Sequence, residues 1–359
     1  MTDVWKENWP DSRRRLTDWW NGKGVVAAAW APIQGHEARE QVPDPGPPDS
    51  LEQKWTDIEW RIASLRHRAA RMRCPLETVP YFPPDLGPGT LALYLGSEAR
   101  LQPNTIWYEP CIEDPDSYGN ITFSPDNAWW QFQVELIDRM MAAADGHYFV
   151  GSPDLIENWD TLASLRGAET LMMDMMERPA WVEAKISEIN RAWFQVYERL
   201  YTKLRSQDGT SMFAHFGLWA PGRVAKVQCD GCAMFSPDMF RRFVQPALSE
   251  QCDRLDYSLY HLDGSQCLDK LDALLEIDNL TAIEWTPDPK VPSGGSLHWA
   301  KMYRRILDAG KRVQILNAEP DEIEPVLDAI GTDGVFFLNG NMSRENADRY
   351  EAVFERVRG

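Results

Sequence analysis

The sequence predicts an α/β protein, a single (β/α)8 barrel of the TIM type with an N-terminal helical extension. Three observations lead there. Through the C-terminal half, short apolar strand-like runs alternate with longer amphipathic helix-like runs, the pattern of parallel strands joined by right-handed helical crossovers. Further strand-like runs at 24–31, 105–109 and 147–150 bring the strand count close to eight. The length of 359 residues with 43% apolar content suits one large barrel. An open doubly wound sheet is the alternative. One domain is therefore assigned to 1–359. Residues 1–100 hold N-terminal helices, the first strand and Pro-rich loops, and 101–359 hold the rest of the barrel.

The elements follow in order. Residues 12–20 read as a short helix, started by Asp11 or Ser12 and closed by Gly22 and Gly24. The run GVVAAAWA at 24–31 suits a strand buried on both faces. Pro, Gly, Glu and Asp fill 32–50, a loop. Leu51, Trp55, Ile58, Ile62 and Leu65 recur at helical spacing, and arginines gather late, predicting a helix over 51–72. A Pro-rich linker (75–88), a short helix (89–95), a strand (105–109), a helix (127–144) and a strand (147–150) come next. Helices are then expected at 153–165, 169–177 and 179–204. After these the alternation becomes regular: strands at 211–216, 258–261, 281–284, 312–316 and 334–338, separated and followed by helices at 237–255, 267–275, 297–309, 320–330 and 344–357.

Composition narrows the function classes. A net charge of −18 argues against nucleic-acid or anionic-membrane partners, which need a basic surface. No run of about 18 apolar residues predicts a membrane span. The opening MTDVWKENWPDSRRR lacks the apolar core of a signal peptide. The six cysteines, at 74, 111, 229, 232, 252 and 267, then read as reduced thiols of a cytoplasmic protein. No phosphate-binding glycine loop follows a strand. The chain carries 16 Trp. Most belong in a core, but the count also fits a site that stacks sugar-like rings and binds their hydroxyls.

In barrels of this kind, chemistry gathers where strands end at their C-terminal side. The expected strands deliver a set of polar and aromatic residues there. The strand at 211–216 leads to Trp219 and the loop with Asp230. The strand at 258–261 delivers Tyr260, His261 and Asp263. The strand at 281–284 delivers Glu284 and Trp285. The last two deliver Asn317, and Asn339 with Asn341. Residues two apart in a strand face the same way, so His261 and Asp263 point together. They could share a metal or act as an acid/base pair. Alternatively, Asp263 caps the following helix and His261 is packed. Glu284 follows Leu280, Ala282 and Ile283, and a carboxylate at the edge of a buried strand needs a partner or a function. Asp263, Glu284 and Asp230 are candidate catalytic carboxylates. Trp219, Tyr260, Trp285, Trp107, Asn317 and Asn339 are candidate substrate contacts. Cys229 and Cys232 form a lone C-x-x-C, a weak redox or metal signal. The loop 287–296, ending in Gly-Gly-Ser, is long enough to be a lid.

The segment CDGCAMFSPDMFRRFV (229–244), followed by Pro246, resembles the uroporphyrinogen decarboxylase-like superfamily, which shows an acidic residue before S-P-x-x-F and a Pro soon after. His261-Leu-Asp263-Gly264, Phe336-Phe-Leu-Asn339-Gly340, and the stretch from Gly87-Pro-Gly89 to Leu95-Gly96 are similar to further superfamily features. The resemblance implies a single (β/α)8 barrel. It speaks against true uroporphyrinogen decarboxylase activity, because Ala31-Pro-Ile-Gln-Gly35 stands where that enzyme's arginine-rich substrate loop would be. The corrinoid-dependent methyltransferases of the superfamily bind zinc through H-x-C and a distant Cys. His261 matches that His, while Asp263 and Asn339 stand where the two Cys would be, so the implied metal ligands are harder than thiolates.

The first expected function is thus a methyltransferase or demethylase acting on a small polar molecule, with a divalent metal such as zinc and a corrinoid protein as partner. The alternatives are a carbohydrate-active hydrolase or lyase using paired carboxylates, a decarboxylase of another substrate, and a non-catalytic ligand-binding barrel. Nothing in the sequence sets the oligomeric state.

Overall fold

The computed structural model describes residues 4–358 except 214 and 341, so Asn341 lies outside the described residues. Six parallel strands form one continuous sheet. They are β1 (Val25–Ala29), then β5 (Val224–Gln228), β6 (Tyr257–Asp263), β7 (Ala282–Thr286), β8 (Arg312–Leu316) and β9 (Val335–Asn339). Their order across the sheet is β1-β9-β8-β7-β6-β5. Among the short strands between β1 and β5 are β2 (Tyr81–Phe82), β3 (Phe149–Val150) and β4 (Ser211–Met212).

Strand alternation divides these residues between two layers. Val25, Ala27, Tyr260, Leu262, Ile283, Trp285, Val313, Ile315, Val335 and Phe337 belong to the large cluster that includes the outer helices. Val26, Ala28, Leu259, Ala282, Leu316, Phe336 and Leu338 belong to an inner cluster enclosed by the strands. A sheet buried on both faces must be apolar on both, and VVAAA in β1 is buried at every position.

The helix Trp9–Trp20 packs at the start of the strands. Trp19 donates its indole N–H to Gly334 O and Trp20 to Trp219 O, both at the cost of no buried polar orphan. Both indoles are fully buried and pack edge to face or tilted on Phe336 and Tyr257. Burying one Trp contributes roughly 4–6 kcal/mol of transfer free energy before entropy is counted. Much of the tryptophan content therefore fills core: Trp19, Trp20, Trp159, Trp193, Trp219 and Trp285 are all enclosed.

The sequence expectations hold for the parallel α/β core and need correcting in four places. First, continuous hydrogen bonding joins six strands, not eight. β2 pairs with β3 in a separate parallel pair, and single bridges link Ser152 to Phe213 in parallel and Ala28 to Leu76 in antiparallel sense. Second, residues Ile106–Glu109 are not a wall strand. They form an antiparallel hairpin with Glu98–Leu101. Third, two wall strands lie in stretches read as loops: β2 inside the Pro-rich linker, and β5, whose Lys226 and Gln228 interrupt the apolar pattern. Fourth, two long helices are broken. Asp57, extended at φ −84° and ψ 100°, ends Leu51–Thr56 and caps Ile58–Ala69 through Trp60 N–H. The 237–255 segment breaks at Val244, just before Pro246, because proline cannot supply the N–H a continuous helix needs. No helix among the described residues is long and apolar enough to cross a membrane.

Candidate functional site

The site rests on one register row. Gln228 of β5 pairs with His261 of β6, His261 with Glu284 of β7, and Glu284 with Gln314 of β8. The apolar partition of each strand puts these four side chains on the inner face. Two residues further on, by the same period of two, come Asp230, Asp263 and Thr286.

His261 is held from one side. Its Nδ1 bonds a carboxylate oxygen of Glu284, a residue with no solvent exposure, and the other Glu284 oxygen accepts the Thr286 hydroxyl at 2.7 Å. A buried carboxylate is tolerable only when both oxygens are engaged, as here. With Nδ1 taken, Nε2 is the ring atom left to face the strand ends. It lies 3.8 Å from Asp263 Oδ2. Phe216, at φ 59°, packs its ring 4.8 Å from the imidazole, and Trp30 lies tilted against Phe216 at 4.5 Å. Burial pushes the imidazole toward neutrality, but the Glu284 charge and hydrogen bond, helped by Asp230, outweigh it and raise its affinity for a proton.

Asp230, His261 and Asp263 bring their ligand atoms within 4.8 Å of one another. Asp263 does not cap the next turn. That turn starts at Gly264, and it is Asp288 that accepts the Ser265 N–H, at 2.8 Å. Asp263 is thus left to the His261 cluster. Partial burial raises its carboxyl, as does the charge of Glu284, while His261 lowers it. Burial likewise raises Asp230, against the lowering pull of His261 and Lys226.

A buried relay positions Asp230. Lys226 Nζ donates to Asp154 Oδ2 at 2.7 Å and to Gln228 Oε1; Gln228 Nε2 then donates to Asp230 Oδ2 at 2.8 Å. Because the Gln228 oxygen takes the ammonium, its amide nitrogen must face Asp230. The backbone of the same loop is clamped by Asp160, which accepts the Asp230 N–H at 2.7 Å and the Gly231 N–H at 3.0 Å. Gly231 is required there: a Cβ would sit 1.8 Å from the Trp159 ring. Glu157 in turn accepts the N–H groups of Trp159 and Asp160, both at 2.7 Å, capping the helix Asn158–Arg166. Burial, with the nearby charge of Asp230, raises Asp160 to about 7. Glu157, Asp160 and Cys229 form a second group of donors close enough to hold a cation, but both carboxylates are already engaged by backbone N–H groups.

The structure thus gathers the four candidate catalytic residues, His261, Asp263, Glu284 and Asp230. The candidate substrate contacts fare differently. Tyr260 and Trp285 alternate with His261 and Glu284 and so face the outer layer, both fully buried. Trp219 is enclosed against Trp9 near the base, with Arg13 over its ring. Asn339 has outward parity in β9 and donates from Nδ2 to the Tyr350 hydroxyl at 2.5 Å, so it does not reach His261 as a third ligand. Asn317 holds a left-handed turn at φ 54° and accepts the Gly340 N–H at 2.7 Å. Trp107 is exposed, on the outlying hairpin. The loop 287–296 is pinned rather than free. Tyr303 donates to Gly294 O at 2.6 Å, Ser293 to Glu322 at 2.6 Å, and a Cβ on Gly294 would meet Leu316 O at 2.1 Å. Sequence reasoning missed Lys226, Gln228, Asp154 and Asp160. The first two lie in the unrecognised β5, and the acids lie in a segment read as ordinary helix.

No protein-family profile matches the chain, and no curated protein matches it in sequence. Solved structures do match in fold. A methyltransferase from Methanosarcina mazei superposes with a TM-score of 0.61 at 12% identity, covering 97% of this chain and 99% of that one. A B12-independent methionine synthase from Shewanella sp. W3-18-1, solved with selenomethionine, gives a TM-score of 0.50 at 11% identity, covering 93% and 97%. The chain therefore shares its α/β fold, with a parallel central sheet, with these two proteins.

Proposed function

We propose that the chain is an enzyme of the methyl-transfer type that acts on a small polar methylated molecule and uses a divalent cation held by Asp230, His261 and Asp263. The observation that carries this reading is the convergence of those three donors at the ends of adjacent parallel strands, with the imidazole oriented from behind by a buried carboxylate. Metal-binding histidines are held in this way, through a carboxylate on the nitrogen that does not face the metal. One nitrogen and two carboxylates suit zinc or manganese rather than a thiolate-selective ion. Such a cation would polarise the oxygen or sulfur that carries the methyl group. His261 presents Nε2, Asp230 and Asp263 supply negative charge, and Glu284 fixes the ring. The fold neighbours, named as a methyltransferase and a methionine synthase, support the reaction class, and a corrinoid protein is the proposed methyl acceptor.

The raised His261 imidazole, set between Glu284 and Asp263, supports a second reading. In it, His261 carries a proton to or from the substrate at Nε2 without a cation. Paired-carboxylate glycoside chemistry has less behind it. Glu284 is occupied by His261 and Thr286, and Trp219 and Trp285 are not at the site.

Elemental analysis of purified wild type and His261→Ala, paired with an assay for methyl transfer from methylated substrates to a corrinoid protein, tests the proposal. Stoichiometric metal that is lost with the imidazole, and transfer that depends on it, is the expected result. Metal-free wild-type protein with no transfer would sink the proposal, and metal-independent activity that needs His261 would favour the second reading.

A further inference from the structure

Behind the Asp230 loop, two 3-10 turns pack against each other: Asp230–Met234 after β5 and Ser265–Lys270 after β6. Each contributes one buried thiol. The Sγ atoms of Cys232 and Cys267 lie 3.4 Å apart, and both cysteines are unbridged. A disulfide needs about 2.05 Å between sulfurs, so the remaining closure is about 1.4 Å, within what two short turns can absorb. A third thiol, Cys229, interacts with both Cys232 and Asp160, its Sγ lying 4.0 Å from Asp160 Oδ1, whereas the facing turn contributes Cys267. Tyr260, on the outer face of β6, brings its buried hydroxyl beside Cys232. Neither Cys232 nor Cys267 belongs to the group of donors around His261.

We propose that Cys232 and Cys267 form a redox-active dithiol, a covalent modification site that closes to a disulfide under a hydroperoxide oxidant. One sulfur attacks the peroxide oxygen. The O–O bond breaks, the sulfur becomes a sulfenic acid, and one water leaves with the thiol proton. The second sulfur then displaces the sulfenic hydroxyl, which leaves with the second thiol proton as water. Two thiols and one hydrogen peroxide give one disulfide and two waters; the sulfurs lose two electrons and the peroxide oxygens gain them. The bond would tie the loop that carries Asp230 to the turn that begins just after Asp263, fixing the two segments against each other. This inference is independent of any cation at His261.

The test uses the folded full-length protein. It is treated with hydrogen peroxide, its remaining thiols are alkylated under denaturing conditions, and it is digested without reduction for mass spectrometry. The expected result is a Cys232–Cys267 linked peptide about 2 Da lighter than the two free peptides, lost on treatment with dithiothreitol. It should form in Cys229→Ser and be absent from Cys232→Ser and Cys267→Ser. Recovery of Cys232 and Cys267 as alkylated thiols, or a bond to Cys229 instead, would overturn the proposal. The wild-type peptide map decides this alone, so a variant that fails to fold does not obscure it.

Discussion

Glu284→Gln isolates what the buried carboxylate does for His261. The substitution keeps the shape, and an amide oxygen can still accept from His261 Nδ1 while the amide nitrogen donates to the Thr286 oxygen. What disappears is the charge. A hydrogen bond to a charged group contributes about 1.5–3 kcal/mol and a neutral one about 0.5–1.5, so the variant should lose about 1–2 kcal/mol near neutral pH. The pH dependence has a definite sign. The folded His261 pKa is raised above its unfolded value of about 6.5. Its stabilising contribution is therefore complete below pH ~6.5 and fades as pH rises through the folded pKa. Glu284→Gln should flatten that decline. It should also weaken cation binding by about 10–100-fold, the usual effect of removing a group that orients a metal-binding histidine. Chemical denaturation at a series of pH values and calorimetric titration with zinc read the two effects. Wild-type affinity for zinc together with an unchanged stability–pH profile would refute the idea that Glu284 orients and charges this imidazole.

Three further outcomes follow from the surroundings of Asp230. Lys226→Met leaves Asp154 buried without its cation, and denaturation should show a loss of about 3–5 kcal/mol, most of it regained in Lys226→Met/Asp154→Leu. Gly231→Ala forces a methyl into the Trp159 ring and should destabilise by about 3 kcal/mol, read as a lower denaturation midpoint. Asp160, raised to about 7, binds a proton in the fold that the unfolded chain releases near pH 4, so it lowers stability as pH rises from about 4 to about 7. Asp160→Asn should remove on the order of 2–4 kcal/mol of that pH-dependent loss, and equal slopes in the two proteins would contradict it.

How far the sequence revealed this site follows from which residues carried a period. The strands β6 to β9 were legible because their flanking helices are amphipathic and their own residues are apolar on both faces. β5 was not: an inward Lys226 and Gln228 make VAKVQ look like a polar loop, because the site needs polar groups on a face that is otherwise apolar. β2 was hidden because two paired residues inside a Pro-rich stretch have no period to detect. The spacing rule that placed His261 with Asp263 also places Tyr260 and Trp285 on the opposite face; an aromatic next to a catalytic residue in a strand is for that reason more often wall than ligand contact. The contacts of Asp160 with the Asp230 loop span 70 residues and leave no local trace. Asn339 shows where the resemblance stops informing. The sequence resemblance implies a metal ligand at its position, yet its side chain donates to the Tyr350 hydroxyl.

Anomalous diffraction from crystals grown with manganese or zinc tests most directly whether Asp230, His261 and Asp263 bind a cation. The predicted result is a single strong peak about 2.0–2.2 Å from His261 Nε2 and from one oxygen each of Asp230 and Asp263. A peak between Glu157, Asp160 and Cys229 instead, or none at His261, would contradict it.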